Sequence, residues 1–237
     1  ADLVALLAGA WALRVRDNAA QVERFRETPD GSDFYATVSR TFVADPARED
    51  DPVLGRLLTH ARPGDSWLDI GAGAGRYALP IARRVREVVA VDPSASMLEA
   101  LHAGMAAHGI AGIRTVQGRW PPEPALRMAL GPDPFADVAL IAHVGYDVEE
   151  IVPFLAAMEG AARRLCLAVL MEASPAAVAA PFWPLVHGET RVPLPALPER
   201  VELLAARGCE PIVVREAGER RRWTDRDELL RFLRRQL

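Results

Sequence analysis

One short segment constrains the fold of this chain more than any other, because an apolar strand pattern runs directly into a glycine-rich turn. Residues 66–77 read SWLDIGAGAGRY. The apolar residues up to Ile70 predict a buried strand, and the glycines that follow predict a tight turn leading into a helix. Glycine has no Cβ, so such a turn lets a ligand lie against the backbone. The segment therefore predicts a ligand-binding turn of an α/β protein.

A second apolar run ends in an acid at a spacing that suits a parallel α/β sheet. Residues 88–91 read VVAV, and Asp92 follows them. An acid at the carboxyl end of the second strand can accept hydrogen bonds from a ribose diol. Asp69, just before the turn, suits a ligand that carries positive charge rather than a pyrophosphate. Arg76 stands where a dinucleotide-binding turn has its third glycine, which disfavours a nicotinamide-dependent oxidoreductase.

Together the two motifs resemble those of the class I S-adenosylmethionine-dependent methyltransferases, of the bacterial small-molecule type. Residues 68–75, LDIGAGAG, match the first motif of that family, and residues 89–98, VAVDPSASML, match the second. With a later strand at 136–143, the resemblance covers about residues 60–170. It implies a Rossmann-like, doubly wound and mostly parallel α/β sheet with helices on both faces. It also implies S-adenosyl-L-methionine as cofactor and S-adenosyl-L-homocysteine as product.

The resemblance further implies which residues hold the cofactor. The glycine turn would hold its methionine part, and the acid after the second strand would hold its ribose hydroxyls. The ends of the third and fourth strands would meet the adenine and the transferable methyl. The implied cofactor-binding residues are Asp69, Gly71, Ala72, Gly73, Gly75, Asp92, Pro93, Met97, Gly118, Arg119, Trp120 and His143.

The chain departs from the family pattern after the third strand. The family usually has glycine followed by an aspartate that binds the adenine amino group, whereas this chain has Gly118, Arg119 and Trp120. The adenine would then be held by the Gln117 side chain, by a backbone group or by stacking on the Trp120 ring. The alternative is that Trp120 only fills the edge of the sheet.

The methyl acceptor is expected at the ends of the fourth and fifth strands and beside the N-terminal helical part. A base is needed only where the acceptor must lose a proton, and His143 and then His187 are the candidate catalytic residues. Each could instead be a hydrogen-bonded structural histidine, and Glu189 could pair with an arginine. Aromatic and titratable residues in a proline-bounded loop predict a pocket wall. The predicted substrate residues are Tyr35, Tyr146, Trp183, His187 and Glu189.

Length and periodicity predict an α/β domain with a helical addition. Residues 1–60 are expected to form a helical cap and residues 61–237 the catalytic domain, with a substrate-loop insertion near 173–198. Strands are predicted near 66–70, 87–91, 113–117, 137–142, 165–170 and 211–216, and helices near 52–61, 75–86, 94–108, 148–162 and 199–207. Residues 219–223 are a weaker strand candidate, and residues 224–237 have the pattern of an amphipathic helix.

Composition narrows the function classes. The formal net charge of −4 argues against a nucleic-acid partner, and all 28 basic residues are arginine, which excludes Schiff-base lysine chemistry. Two cysteines are too few for a disulfide framework or a cysteine-rich metal site, so we predict no metal and a cytoplasmic location. The apolar residues 3–13 are too short to span a bilayer and predict the start of a helix.

These observations predict a methyltransferase acting on a small-molecule acceptor, with no nucleic-acid or membrane partner and with a homodimer left open. Two alternatives remain at this point. The first is an S-adenosylmethionine-binding protein without catalysis. The second is an RNA methyltransferase, although the chain has no basic domain.

Overall fold

The chain begins with a long helix. The computed structural model of the protein describes residues 2–26, 33, 39–216, 225–227, 229, 230, 233 and 237. Helix α1 is Leu3–Phe25, and the Asp2 side chain caps it by accepting a hydrogen bond from the backbone N–H of Val4 at 3.1 Å. Among the described residues, no helix combines the length and the apolar character needed to cross a membrane.

Five strands form one parallel sheet in the order β3-β2-β1-β4-β5. Their bounds are β1 Ser66–Ile70, β2 Glu87–Asp92, β3 Ile113–Gln117, β4 Ala136–Ala142 and β5 Ala162–Val169. The predictions for these five strands are confirmed. The largest difference is at β5, which begins at Ala162 rather than at residue 165.

Helices connect the strands, as parallel pairing requires. The remaining helices are α2 Pro52–Leu58, α3 Ala78–Ala82, α4 Ala95–His108, α5 Pro124–Leu130, α6 Ile151–Ala161, α7 Trp183–His187 and α8 Leu197–Ala206. Two 3-10 turns cover Ser39–Phe42 and Pro175–Phe182. The doubly wound α/β prediction is confirmed.

The central strands of the sheet are buried on both faces. Trp67 and Leu68 are neighbours on β1 and therefore point to opposite faces, yet they are only 1% and 0% exposed. Leu54 and Leu57 of α2 pack on the face that Trp67 occupies. This double burial explains why the central strands read as continuous apolar runs rather than alternating ones.

Two sequence predictions are wrong. Residues 211–216 are not a strand: they run without regular structure and leave Ile212 93% exposed. An apolar run becomes a strand only where a neighbour supplies hydrogen bonds, and none of the described strands pairs with residues 211–216.

The helix predicted over 75–86 is only Ala78–Ala82, because the chain must bend over 83–86 to enter β2. The strand candidate at 219–223 lies outside the described residues, as does most of 224–237.

The chain divides into two compact units. The first contains residues 1–29, 145–152 and 170–237, and the second contains residues 30–144 and 153–169. The second unit includes the whole sheet. The predicted division at residue 60 stays a prediction.

In the first unit, one face of α1 supplies hydrogen bonds to an extended segment of residues 190–194, which we call the clamped segment. The buried Gln21 side chain accepts a hydrogen bond from Val192 N at 2.7 Å and donates to Thr190 O at 2.9 Å. Its amide thus pairs with the backbone as a neighbouring strand would. The clamped segment has no regular secondary structure, so these side-chain bonds satisfy its polar groups.

The same face of α1 continues the clamp toward the N-terminus. Asn18 Nδ2 donates to Val192 O at 2.6 Å, and Arg14 donates to Pro193 O at 3.3 Å and to Leu194 O at 3.2 Å. Positions 14, 18 and 21 are three or four residues apart, which places them on one side of a helix. The clamp therefore follows from helical periodicity.

We expect Gln21→Ala to destabilise the protein by about 1–3 kcal/mol, the cost of leaving buried polar groups such as Val192 N without a partner. Chemical denaturation monitored by circular dichroism would measure the free energy of unfolding. Glu23→Ala, at an exposed position of the same helix, is the control and should change stability by less than about 0.5 kcal/mol. Equal effects of the two substitutions would contradict the clamp.

Candidate functional site

The glycine turn lies at the carboxyl end of β1 and is fastened to the end of β2. Gly71 N and Ala72 N both donate to Val91 O, at 2.7 and 3.1 Å. Two donors on one carbonyl hold the start of the turn against the neighbouring strand. The carboxyl edge of a parallel sheet is where ligands bind in folds of this type.

Gly73 and Gly75 serve different purposes in the turn. Both have positive φ, +54° and +84°, a conformation that L side chains rarely adopt. A Cβ at Gly75 would lie 2.3 Å from Leu101 Cδ1, so glycine is required there for packing against α4. A Cβ at Gly73 would meet only Met97 Sδ, at 3.9 Å. The space at Gly73 is open for a ligand.

The Asp92 carboxylate joins the turn to the helix after β2. Its Oδ2 accepts a hydrogen bond from Gly73 N at 2.8 Å, and its Oδ1 accepts one from Ser94 N at 2.9 Å. The side chain is buried, which raises its pKa against the lowering effect of the two N–H groups. Each carboxylate oxygen has a second lone pair, so Asp92 keeps the capacity to accept two hydroxyl groups.

A second acid stands beside Asp92. The Asp33 carboxylate accepts hydrogen bonds from Ser94 Oγ at 2.8 Å and from Ser96 N at 3.0 Å. These contacts place it over the first turn of α4, and its negative charge contributes to the raised pKa of Asp92. Sequence reasoning missed this contact, because nothing in the chain near Asp33 indicates which helix it meets.

Asp69 is a buried acid of the site with a strongly raised pKa. It is the fourth residue of β1, is 3% exposed, and has its pKa raised to about 7 by burial and by the neighbouring charge of Asp92. A cation nearby would favour the ionised form and return the pKa toward its ordinary range. The charge of this edge thus suits a ligand with positive charge.

The end of β3 contributes backbone and core contacts. Gly118 N donates to Asp92 O at 3.1 Å, and Gln117 Nε2 donates to Pro93 O at 3.1 Å. Trp120 is 6% exposed, and its Nε1 donates to Phe154 O at 3.2 Å. This placement matches the alternative in which Trp120 fills the edge of the sheet. Gln117 and the exposed Arg119 remain the side chains suited to an adenine ring.

His143 follows β4 directly and adopts an unusual backbone conformation. Its φ is +58°, the one non-glycine residue with positive φ in the described part of the chain, and its N–H donates to Val169 O at 2.8 Å. Such conformations cost energy and cluster at functional sites. Partial burial of the ring, then the charge of Arg76, lowers the pKa of His143, with Asp51 opposing. The ring is therefore neutral at pH 7 and able to accept a proton.

Arg76 and Asp51, whose charges act on His143, belong to an ion-pair cluster that also includes Arg48. Asp51 caps α2 by accepting from Leu54 N, and its Oδ2 lies 2.9 Å from Arg48 Nε and 3.1 Å from Arg76 Nη2. Arg48 also donates to the carbonyl of Arg76 at 3.0 Å. The Asp-Pro pair that begins α2 is a helix-start signal, but the sequence does not reveal that Asp51 pairs with Arg76.

The other predicted acceptor residues belong to the first unit, except Tyr35, which lies outside the described residues. Tyr146 OH accepts a hydrogen bond from Met171 N at 2.8 Å, and burial raises the pKa of the phenol. His187 Nε2 lies 2.8 Å from Leu237 O. Glu189 contacts Gln21 Nε2 at 2.7 Å and Arg24 Nη2 at 2.5 Å.

Trp183 is almost fully buried in an aromatic cluster. It is 1% exposed, its ring centroid lies 4.3 Å from that of His187 and 5.7 Å from that of Phe25, and the Arg191 guanidinium carbon lies 4.5 Å from it. These side chains thus pack the loop against α1. The pairing of Glu189 with an arginine matches the alternative derived from the sequence, and a role of this loop in acceptor binding stays a prediction.

One family model matches the chain. The methyltransferase domain model aligns with residues 68–163, which span β1 to the start of β5 and include the turn, Asp92 and His143. This match confirms, over residues 68–163, the resemblance derived from the sequence motifs. No curated protein matches the chain.

Solved structures resemble the chain at low identity. The YcgJ protein of Bacillus subtilis is 20% identical, with 65% of this chain and 66% of that chain covered and a TM-score of 0.49. A candidate methyltransferase from Bacillus halodurans C-125 is 16% identical, with 67% and 68% covered and a TM-score of 0.50, and shows the shared fold.

An S-adenosylmethionine-dependent methyltransferase from Thiobacillus denitrificans, solved with S-adenosyl-L-homocysteine, is 18% identical, with 55% and 50% covered and a TM-score of 0.43. This chain spans slightly less than two thirds of the YcgJ chain and half of the Thiobacillus denitrificans chain.

The two glycines give a matched test of the turn. Gly73→Ala adds a methyl group in open space at a positive φ, so we expect a stability loss of roughly 1–2 kcal/mol and a marked loss of S-adenosyl-L-homocysteine binding. Gly75→Ala adds a methyl against Leu101, so its melting temperature should fall further. Differential scanning fluorimetry and calorimetry would measure both effects. Binding that survives Gly73→Ala unchanged would show that no ligand approaches there.

The raised pKa of Asp69 predicts a pH-dependent stability. The unfolded carboxyl ionises near pH 4, whereas the folded one stays protonated until about pH 7, so stability should fall as pH rises through this window and level off above it. Asp69→Asn removes this dependence and should therefore be more stable than the unmodified protein at pH 8. Denaturant unfolding at pH 5 and pH 8 measures the difference. Glu99→Gln, at an exposed position of α4, is the control, and an equal pH response in Asp69→Asn would contradict the assignment.

Proposed function

We propose that this protein binds S-adenosyl-L-methionine and transfers its methyl group to a small-molecule acceptor. The observation that carries the proposal is the Asp92 carboxylate, which accepts two backbone N–H groups and still has two free lone pairs beside the open space at Gly73. This is the arrangement that a ribose diol requires. The match of residues 68–163 to the methyltransferase domain model supports the choice of cofactor.

The residues present fit the chemical character of this cofactor. Asp92 would hold the ribose hydroxyls, and the open backbone at Gly73 would admit the methionine part. The negative charge of Asp69 would balance the positive charge of the ligand. Backbone groups near Gly118 and the side chain of Gln117 would face the adenine, in place of the missing acid.

When bound, S-adenosyl-L-methionine supplies a methyl group that its sulfonium sulfur already activates. The protein then has to align the acceptor and, where the acceptor carries a proton, remove it. The neutral ring of His143 at the end of β4 is the proposed base, and its pKa is lowered first by burial and then by the charge of Arg76. We do not assign a base role to His187, whose Nε2 is engaged by the carbonyl of Leu237.

A small acceptor is favoured over a nucleic acid. The net charge of −4 leaves no excess of positive charge to neutralise a phosphate backbone. Two cysteines are too few for a disulfide framework, which supports the cytoplasmic location that we infer. The homodimer stays a prediction.

The proposal is tested by S-adenosyl-L-homocysteine binding. Titration calorimetry should show saturable binding to the unmodified protein and a loss of about 1.5–3 kcal/mol, on the order of 10- to 150-fold, in Asp92→Asn. Asp137→Asn is the matched control, because Asp137 also accepts from a backbone N–H, that of Ser66 at 2.8 Å, but at the amino edge of the sheet. No binding to the unmodified protein, or equal losses in the two variants, would refute the proposal.

Binding alone does not establish transfer. Incubation with S-adenosyl-L-methionine labelled in its methyl group and a pool of cellular metabolites, followed by mass spectrometry, would identify a methylated product. A protein that binds the cofactor and methylates nothing in such pools would be a cofactor-binding protein instead.

A further inference from the structure

A buried arginine of the first unit has no acid to neutralise it. Arg200 lies on α8 and is 2% exposed. Burial lowers its pKa to about 10, so the guanidinium still carries its charge at neutral pH. A buried charge without a counterion is among the costliest features that a fold can contain.

The known contacts of Arg200 use only part of its hydrogen-bonding capacity. Nη2 donates to Gly145 O at 2.9 Å, and the guanidinium carbon lies 5.2 Å from the centre of the Trp11 ring. Nε and Nη1, which carry three N–H groups, are buried and meet no acceptor within the described part of the chain. A carbonyl and an aromatic face do not neutralise the charge.

The acid next to Arg200 in sequence is engaged elsewhere. Glu199 forms an ion pair with Arg14 and accepts from Ala196 N at 2.9 Å, an arrangement that caps α8. A titratable group that does interact with the Arg200 charge is the phenol of Tyr146, but a phenol is neutral at pH 7 and burial raises its pKa further. None of the described acids therefore balances Arg200.

Two helices bind the chain segment that Arg200 contacts. Trp11 Nε1 donates to Val148 O at 2.8 Å, so α1 and α8 both hold the segment 145–148. A Cβ at Gly145 would lie 2.9 Å from Arg200 Nη2, so glycine is needed for this close approach.

We propose that Arg200 binds the carboxylate group of a small-molecule ligand within the first unit, through its Nε and Nη1 donors. Guanidinium N–H groups match the oxygens of a carboxylate in geometry and charge, and one carboxylate would supply both the missing acceptors and the missing negative charge. The ligand would then be a small carboxylic acid.

A purely structural role explains the arrangement less well. An apolar side chain of similar length would pack beside Trp11 without any charge to bury, and such replacements of uncompensated charges are often neutral or stabilising. Features that oppose stability in this way are expected at functional sites.

The test uses acetate as the probe and acetamide as its uncharged counterpart. Sodium acetate, compared with sodium chloride at equal concentration, should raise the melting temperature of the unmodified protein saturably, whereas acetamide should not. Arg200→Met should abolish the acetate response without lowering the melting temperature in the absence of acetate. Arg16→Met, at an exposed position of α1, is the control and should keep the response.

Two outcomes would overturn the proposal: no acetate response in the unmodified protein, or an equal response in Arg200→Met. If Arg200→Met does not fold, Arg200→Lys keeps the charge, loses the planar fork and should show a weakened acetate response. An undiminished response in Arg200→Lys would then contradict the proposed match between the planar guanidinium and the carboxylate.

The acetate titration contains no cofactor. Its failure is therefore distinguishable from a failure of the proposed function, which would appear as absent S-adenosyl-L-homocysteine binding to the unmodified protein.

Discussion

The Asp92 carboxylate accepts a hydrogen bond from Gly73 N and another from Ser94 N, and so joins the turn after β1 to the helix after β2. The bond from Gly73 N satisfies a backbone donor of the turn and so helps to hold its positive-φ conformation. The same carboxylate is the group that would meet a ribose diol. The structure of the turn and the proposed binding therefore depend on one side chain, whose pKa is raised by burial.

Each unit buries charge that its own residues do not fully neutralise. In the second unit, burial and then the charge of Asp92 raise the pKa of Asp69 to about 7. In the first unit, Arg200 holds a positive charge with two nitrogens unpaired among the described residues. Charges that are costly in the unliganded protein favour ligands of the opposite sign, because binding then removes the penalty.

The sequence predicts the five-stranded sheet well and the contacts between distant segments poorly. The strands at 66–70 and 113–117 are found at those residues because continuous apolar runs between turn signals have few other solutions in an α/β chain. The run at 211–216 has the same composition but no partner strand, and strand formation depends on the partner. The contacts of Asp33 with α4 and of Asp51 with Arg76 join segments whose proximity only the folded chain establishes.

The loop after β5 shows why composition is a weak guide to an acceptor site. Aromatic and titratable residues predict a pocket wall, yet the same residues can satisfy one another, as Glu189 does with Gln21 and Arg24. A side chain whose hydrogen bonds are already made has little to offer a ligand without losing them. Hydrogen-bonding capacity that remains unused is a better indication of a ligand contact. By that criterion Asp92 and Arg200 are stronger candidates for ligand contacts than Glu189, because within the described residues two lone pairs of Asp92 and three N–H groups of Arg200 have no partner.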